Sequence, residues 1–204
     1  MTERRQRSLA ITGVKFEPYA LAIGQMALAW NELHEALGIL FTKTLASGIE
    51  SSLLGIAIWG AVTNDRQKRL ILGAAINHIG EEAHLQFPQL ASDVLWIIDR
   101  THSLEDKRNN VVHSPLAEVT SELIAVMAGL QMGDVFPGGV LNERALKLSK
   151  STIHVGKNLL TEMNIYRDYA EMLASFSDDI FTAWLTPAGT WPEKPVLPPL
   201  KDKA

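Results

Sequence analysis

Apolar positions recur at helical spacing through most of the chain. From Pro18 to about Leu45, Ile23, Met26, Trp30, Leu33, Leu37 and Leu40 form one stripe at steps of three and four. Pro18 suits a first-turn position, and Ser47-Gly48 supplies a stop. A second helix is predicted over Ser51 to Val62. Asn64 or Asp65 can cap a third, whose apolar residues include Leu70, Ile71, Ala74 and Ala75 and which ends at Gly80. A fourth runs from Pro88 to His113 on Leu90, Val94, Ile97, Thr101, Leu104, Arg108 and Val111; Ser114 precedes a proline and is turned away from helix. Helical texture returns from Asn158 to Leu185, through Ile165, Tyr169, Met172, Leu173, Phe176, Ile180 and Trp184.

Between these stretches the pattern breaks. Leu116 to Met127 has β-branched residues without a helical stripe, and Gly133-Asp134 and Pro137-Gly138-Gly139 are turn signals. A β-hairpin or irregular excursion over about 117–150 is the expectation. Residues 1–15 read as a mobile basic arm. Residues 187–204 hold five of the nine prolines and read as an extended tail. The predicted architecture is mainly α: a single domain over 16–186, a bundle of four to five helices with the excursion inserted.

Composition narrows the class. A chain of 204 residues that is 47% hydrophobic can bury a sizeable core. A net charge of −4 argues against a general nucleic-acid coat protein, but not against an enzyme that meets RNA at one small basic site. With no cysteine, disulfides, thiolate catalysis and cysteine-ligated zinc are excluded. Leu53 to Val62 is too short to span a bilayer, which takes about 20 residues, and the basic start is followed by no secretory pattern. A soluble cytoplasmic protein without a membrane segment is the expectation.

Arg108 breaks a local rule, because it is a cation on an apolar stripe. Beside it runs a polar line, His102, Asp106, Asn109 and His113, at steps of three and four. The segment Arg108-Asn109-Asn110-Val111-Val112-His113 resembles the signature of the HEPN superfamily. These are small helical-bundle proteins, many of them metal-independent ribonucleases of toxin–antitoxin and phage-defence systems. Their mark is an arginine, a polar residue, a short spacer and a histidine near a helix end. The long first helix with Trp30 and Glu32, the later motif helix and the closing helix are similar to that family's organisation. Some family toxins carry a tyrosine two residues after the histidine, where this chain has Pro115.

The resemblance implies Arg108, Asn109 and His113 as catalytic residues, with Lys107, Asn110 and His102 in contact with an RNA substrate and no cofactor or metal. The chemistry accounts for these residue types. RNA brings its own nucleophile, the 2′-hydroxyl; a histidine near neutral pKa moves the proton, and an arginine holds the phosphate. Positions five apart lie about 140° from each other on an ideal helix, so one copy makes a poor site. The family's homodimer, with two motif helices lining one cleft, resolves this, and an antitoxin or defence-system partner would fit the same context. Two other readings stay open: a HEPN-like module that binds nucleotide, RNA or protein without cleaving, and an unrelated helical interaction protein.

Plainer roles stand beside several residues. Arg108 could pair with Glu105 or Asp106. Asp99, His102 and Asp106 share a face that could take a divalent cation but include one histidine only. Arg66, Lys68 and Arg69 could track a phosphate backbone, or form a solvated helix face. Trp30, Trp59, Trp96 and Trp184 suit core packing, His78, His84 and His154 suit surface or capping positions, and Trp191 suits docking on a partner or second copy.

Overall fold

The computed structural model describes residues 17–45, 48–112, 159–186 and 190–200. The chain is mainly α-helical. The described helices are α1 (Glu17–Leu45), α2 (Ile49–Ala61), α3 (Asp65–Asn77), α4 (Glu81–Gln86), α5 (Leu90–Val112) and α6 (Leu159–Leu185). Asn64 caps α3 by accepting from the Gln67 amide at 3.1 Å. The predicted boundaries hold to within three residues, and α4 is an addition: six residues are too few to show a period. The expected arm, the excursion at about 117–150 and His154 lie outside the described residues.

Two compact units share the chain. One comprises Met1–Ile23 with Arg108–Met163, the other Gly24–Lys107 with Asn164–Ala204. In the first, the described residues are the start of α1, the end of α5 and the start of α6, with Ala22, Glu162 and Met163 buried.

The second unit is a helical bundle. Its core takes Met26, Leu33, Leu37 and Leu40 from α1, Leu72 and Ile76 from α3, Leu90, Val94, Ile97 and Leu104 from α5, and Leu173, Phe176 and Ile180 from α6. Trp96 of α5 meets Phe176 of α6 edge-on, with ring centroids 5.8 Å apart. Close approach of α1 and α2 depends on glycines. A Cβ on Gly55 would fall 3.0 Å from the Thr42 backbone, and one on Gly38 would fall 2.6 Å from the Trp59 indole.

The sequence reading of α3 requires a correction. Leu70 and Ala74 are exposed, and the buried face is Arg69, Leu72, Gly73 and Ile76. Those positions also keep steps of three and four, but a cation occupies one of them, so a search for apolar residues alone selects the wrong face. Of the tryptophans, Trp30 and Trp184 are buried, while Trp59 and Trp96 are only half-buried.

A second correction concerns the tail. Residues 190–200 form no helix or strand, and Trp191 and Lys194 lie on the chain's own bundle. Trp191 Nε1 donates to Asp93 Oδ2 at 2.8 Å, its ring packs 5.8 Å from Phe87, and Lys194 Nζ lies 2.8 Å from Asp93 Oδ1. Asp93 is 4% exposed, so its carboxylate depends on these two donors and on Ser92 Oγ at 3.2 Å. Trp191→Phe keeps an aromatic ring, though a smaller one, and removes the donor. It should lower stability by about 1–3 kcal/mol in urea titration, because a buried acceptor is left unmet. In Asp93→Ala the same change should cost much less; equal costs in the two backgrounds would show that the hydrogen bond does not hold the tail.

Candidate functional site

Two groups of polar side chains sit on α5. The first is the motif near its end. Arg108 and Asn109 are both half-buried, and Arg108 Nη1 donates to Asn109 Oδ1 at 2.8 Å. The amide oxygen is thereby committed to the guanidinium, and the Asn109 NH2 remains as its donor group. Glu105, one turn earlier on the helix, pairs with Arg69 and lies 3.6 Å from His102 Nδ1. Asn110 lies in the last described turn of α5 (Leu90–Val112), and His113 lies outside the described residues. Lys107 is half-buried one residue before the motif, in the other compact unit.

The second group belongs to the bundle unit and centres on Arg69, which is 2% exposed. Arg69 Nη2 donates to Glu105 Oε2 in an ion pair, and Nη1 donates to His34 Nε2 at 3.1 Å. An arginine can only donate, so His34 Nε2 must carry the lone pair and Nδ1 the proton. That tautomer fits its other contact, because Nδ1 donates to the Trp30 carbonyl at 3.0 Å. Trp30 completes the cluster: its Nε1 donates to Asp65 Oδ2 at 2.9 Å, and the Arg69 guanidinium lies 5.8 Å from its ring. One buried cation thus links α1, α3 and α5.

Burial pushes the His34 pKa below its ordinary 6.5; the Trp30 carbonyl and Asp65 oppose this, and Arg69 and Lys68 add to it. The Arg69 pKa is lowered as well, first by burial, with Glu105 opposing. The histidine is therefore neutral and enclosed, suited to accepting a hydrogen bond rather than exchanging protons with a substrate.

At the edge of this cluster His102 is half exposed. Its Nδ1 lies 3.6 Å from Glu105 Oε2, and Arg66 Nη2 lies 3.4 Å from its Nε2. Of the three basic residues predicted to share a solvated face or to track phosphate, Arg66 is exposed, Lys68 is half-buried over the Trp59 ring at 5.6 Å, and Arg69 is in the core. His78 is exposed and caps α3, as expected. Asp99, His102 and Asp106 do not gather; among the described residues no three acidic or histidine side chains converge as a metal site would need.

The structure thus joins Arg108 to Asn109 and places His102 in a separate contact with Arg66 and Glu105. The His34–Arg69–Glu105 cluster escaped the sequence reading, although a signal existed. His34 falls on the α1 stripe between Trp30 and Leu37, and Arg69 is one turn from Leu72. No described helix is long and apolar enough to cross a membrane. Comparison with family models, curated proteins and solved structures finds no match for the chain.

A neutral buried histidine has a consequence for stability. The unfolded chain takes up a proton on His34 near pH 6.5, and the folded chain does so only at lower pH. Its contribution to stability is full above that value and is lost as pH falls below it. The melting temperature should therefore drop between about pH 7.5 and pH 5.5, and His34→Gln should flatten this slope. An unchanged slope in the variant would mean that His34 is not kept neutral. Arg69→Ala leaves Glu105 and His34 without their partner and should cost about 3–5 kcal/mol in denaturant titration.

Proposed function

We propose that this chain is a HEPN-like, metal-independent endoribonuclease that acts by 2′-hydroxyl attack, with Arg108, Asn109 and His113 as its catalytic residues. The observation that supports this most is the contact between Arg108 and Asn109 in the last described turns of α5. A guanidinium whose Nη1 donates to an adjacent amide is oriented by it, and orientation is what phosphate recognition by arginine uses. A histidine at a helix end can approach a substrate without the rest of the helix in the way.

In this reading two copies supply the site, since Arg108 and His113 are five residues apart and diverge by about 140° on an ideal helix. Histidine accepts the 2′-hydroxyl proton, and the nucleophilic oxygen attacks the adjacent phosphorus. The P–O5′ bond breaks, and the leaving 5′-oxygen takes a proton from the imidazolium of either copy. Arginine stabilises the charge that builds on the non-bridging oxygens. Lys107, Asn110 and His102 are the proposed contacts to the RNA chain. A toxin–antitoxin or phage-defence setting, with an antitoxin or defence-system partner, is the context this chemistry suits.

Wild-type protein should cut single-stranded or loop RNA in the presence of EDTA. His113→Ala should lower the rate by about 10²–10⁴-fold, the usual worth of positioned proton transfer. Arg108→Ala should lower it by on the order of 10²–10³-fold, and Asn109→Ala by less. All three should keep their helical circular dichroism. Cleavage retained in Arg108→Ala/His113→Ala would place the activity elsewhere. Wild-type protein that binds RNA without cutting it would favour a non-catalytic HEPN-like binding module.

A further inference from the structure

Helix α2 is the most apolar of the described helices and is mostly exposed. Its sequence, Ile-Glu-Ser-Ser-Leu-Leu-Gly-Ile-Ala-Ile-Trp-Gly-Ala, contains one charge, Glu50, and only Gly55 is buried. Ile49, Leu53 and Ile56 leave 81%, 61% and 61% of their surface in water, and Leu54 and Ile58 are also exposed. The inner side is committed: Gly55 meets Thr42, and Trp59 packs on Gly38 and, at 5.5 Å between centroids, on Phe41. The outer side holds Ile49, Leu53, Ile56 and Gly60, at steps of four, three and four, within about 60° of helical arc. Such a stripe on a helix already fixed to its own bundle is a helix-pairing seam.

We infer that this outer face of α2 is where a second copy of the chain docks, antiparallel, across a two-fold axis between Leu53 and Ile56. Three features favour a second copy over a foreign partner. The first is self-complementarity. An antiparallel pairing sets Leu53 opposite Ile56 and the bulky Ile49 opposite Gly60 of the other copy, so bulk meets bulk at the centre and a gap at each end. A Cβ on Gly60 would meet nothing within 4 Å in its own chain, so that gap faces outward.

The second is charge. The seam is neutral, which gives a foreign partner no charge to read. The one acid, Glu50, is carried to opposite ends by the antiparallel arrangement, its two copies more than about 10 Å apart along the axis. The third is area. The three exposed aliphatic side chains of the stripe, Ile49, Leu53 and Ile56, present on the order of 350 Å² per copy, against about 800 Å² per partner in a standard interface. With the exposed Ala57 and Gly60 beside them the stripe supplies close to half of such a contact, and the patch falls in the size range that is often functional on a monomer.

This inference stands apart from the ribonuclease reading, and its tests read association rather than activity. The first measures mass by sedimentation at micromolar concentration. Leu53→Glu/Ile56→Glu places two charges per copy in the seam and should halve the mass, whether wild type is a dimer of the 22.5 kDa chain or, with a second contact beside α5, a tetramer. Both side chains are more than half exposed, so the helical circular dichroism should be unchanged. Leu28→Glu, at an equally exposed position on α1, should leave the mass as in wild type.

The second test uses the absence of cysteine from the chain. Ile49→Cys/Gly60→Cys should form disulfide-linked dimers on mild oxidation. Neither single variant should, because the antiparallel seam holds each position about 16 Å from its own copy. A monomeric wild type, or a mass that the double glutamate variant leaves unchanged, would overturn the inference. It would hand the face to another occupant, such as residues 113–158 of the same chain. Cross-linking of the single variants would overturn the antiparallel register.

Discussion

The arrangement of the bundle unit turns on one buried cation. Arg69 lies in the core with Glu105 on one side and the lone pair of His34 on the other. Taking a guanidinium out of water costs several kcal/mol unless its donors are met, and here partners from two other helices meet them. The geometry leaves little freedom. The histidine must be the Nδ1–H tautomer, that proton must find the Trp30 carbonyl, and the carboxylate must come from α5. Apolar side chains alone would tolerate a slip of one helix along another, but this hydrogen-bonded set does not. Glu105 belongs to the same helix as Arg108, three residues on, so the element that carries the motif is registered by the cluster at its Glu105 turn.

That cluster also explains which parts of the fold were legible in the sequence. Helix positions follow from steps of three and four among apolar residues, and α1, α5 and α6 are legible in this way to within a few residues. The buried face of α3 was not, because its stripe includes Arg69 and the residues that look like a stripe, Leu70 and Ala74, point to water. The same rule that singled out Arg108 as a cation among apolar positions applies with more force to Arg69, which is the more deeply buried of the two. Its partners lie 35 and 36 residues away in the chain, a pairing that no local spacing reports. Trp191 is a similar case. The proline-rich tail reads as extended, but the carboxylate that receives its indole is 98 residues distant.

The proposed site was legible in a different sense. Its signature is short and contiguous, so residue types and a helix end were enough to pick out Arg108, Asn109 and His113. The contact between Arg108 and Asn109 adds a physical reason for the asparagine, whose amide oxygen accepts from the guanidinium of its neighbour. His102 is set apart from that pair by its contacts with Arg66 and Glu105. Its proposed part is therefore to meet the RNA chain through a cationic neighbour, not to transfer the proton.

In the proposed mechanism the RNA supplies its own nucleophile, the 2′-hydroxyl, so that neither a metal nor a thiolate is required. This is tested most directly by the structure of the 3′ end left on a cleaved RNA oligonucleotide, read by mass spectrometry after reaction in EDTA. The end expected is a 2′,3′-cyclic phosphate, with no product when a 2′-deoxynucleotide replaces the residue at the cut. A free 3′-hydroxyl with a 5′-phosphate on the other fragment, or equal cleavage of the deoxy substrate, would mean that water is the nucleophile and would contradict it.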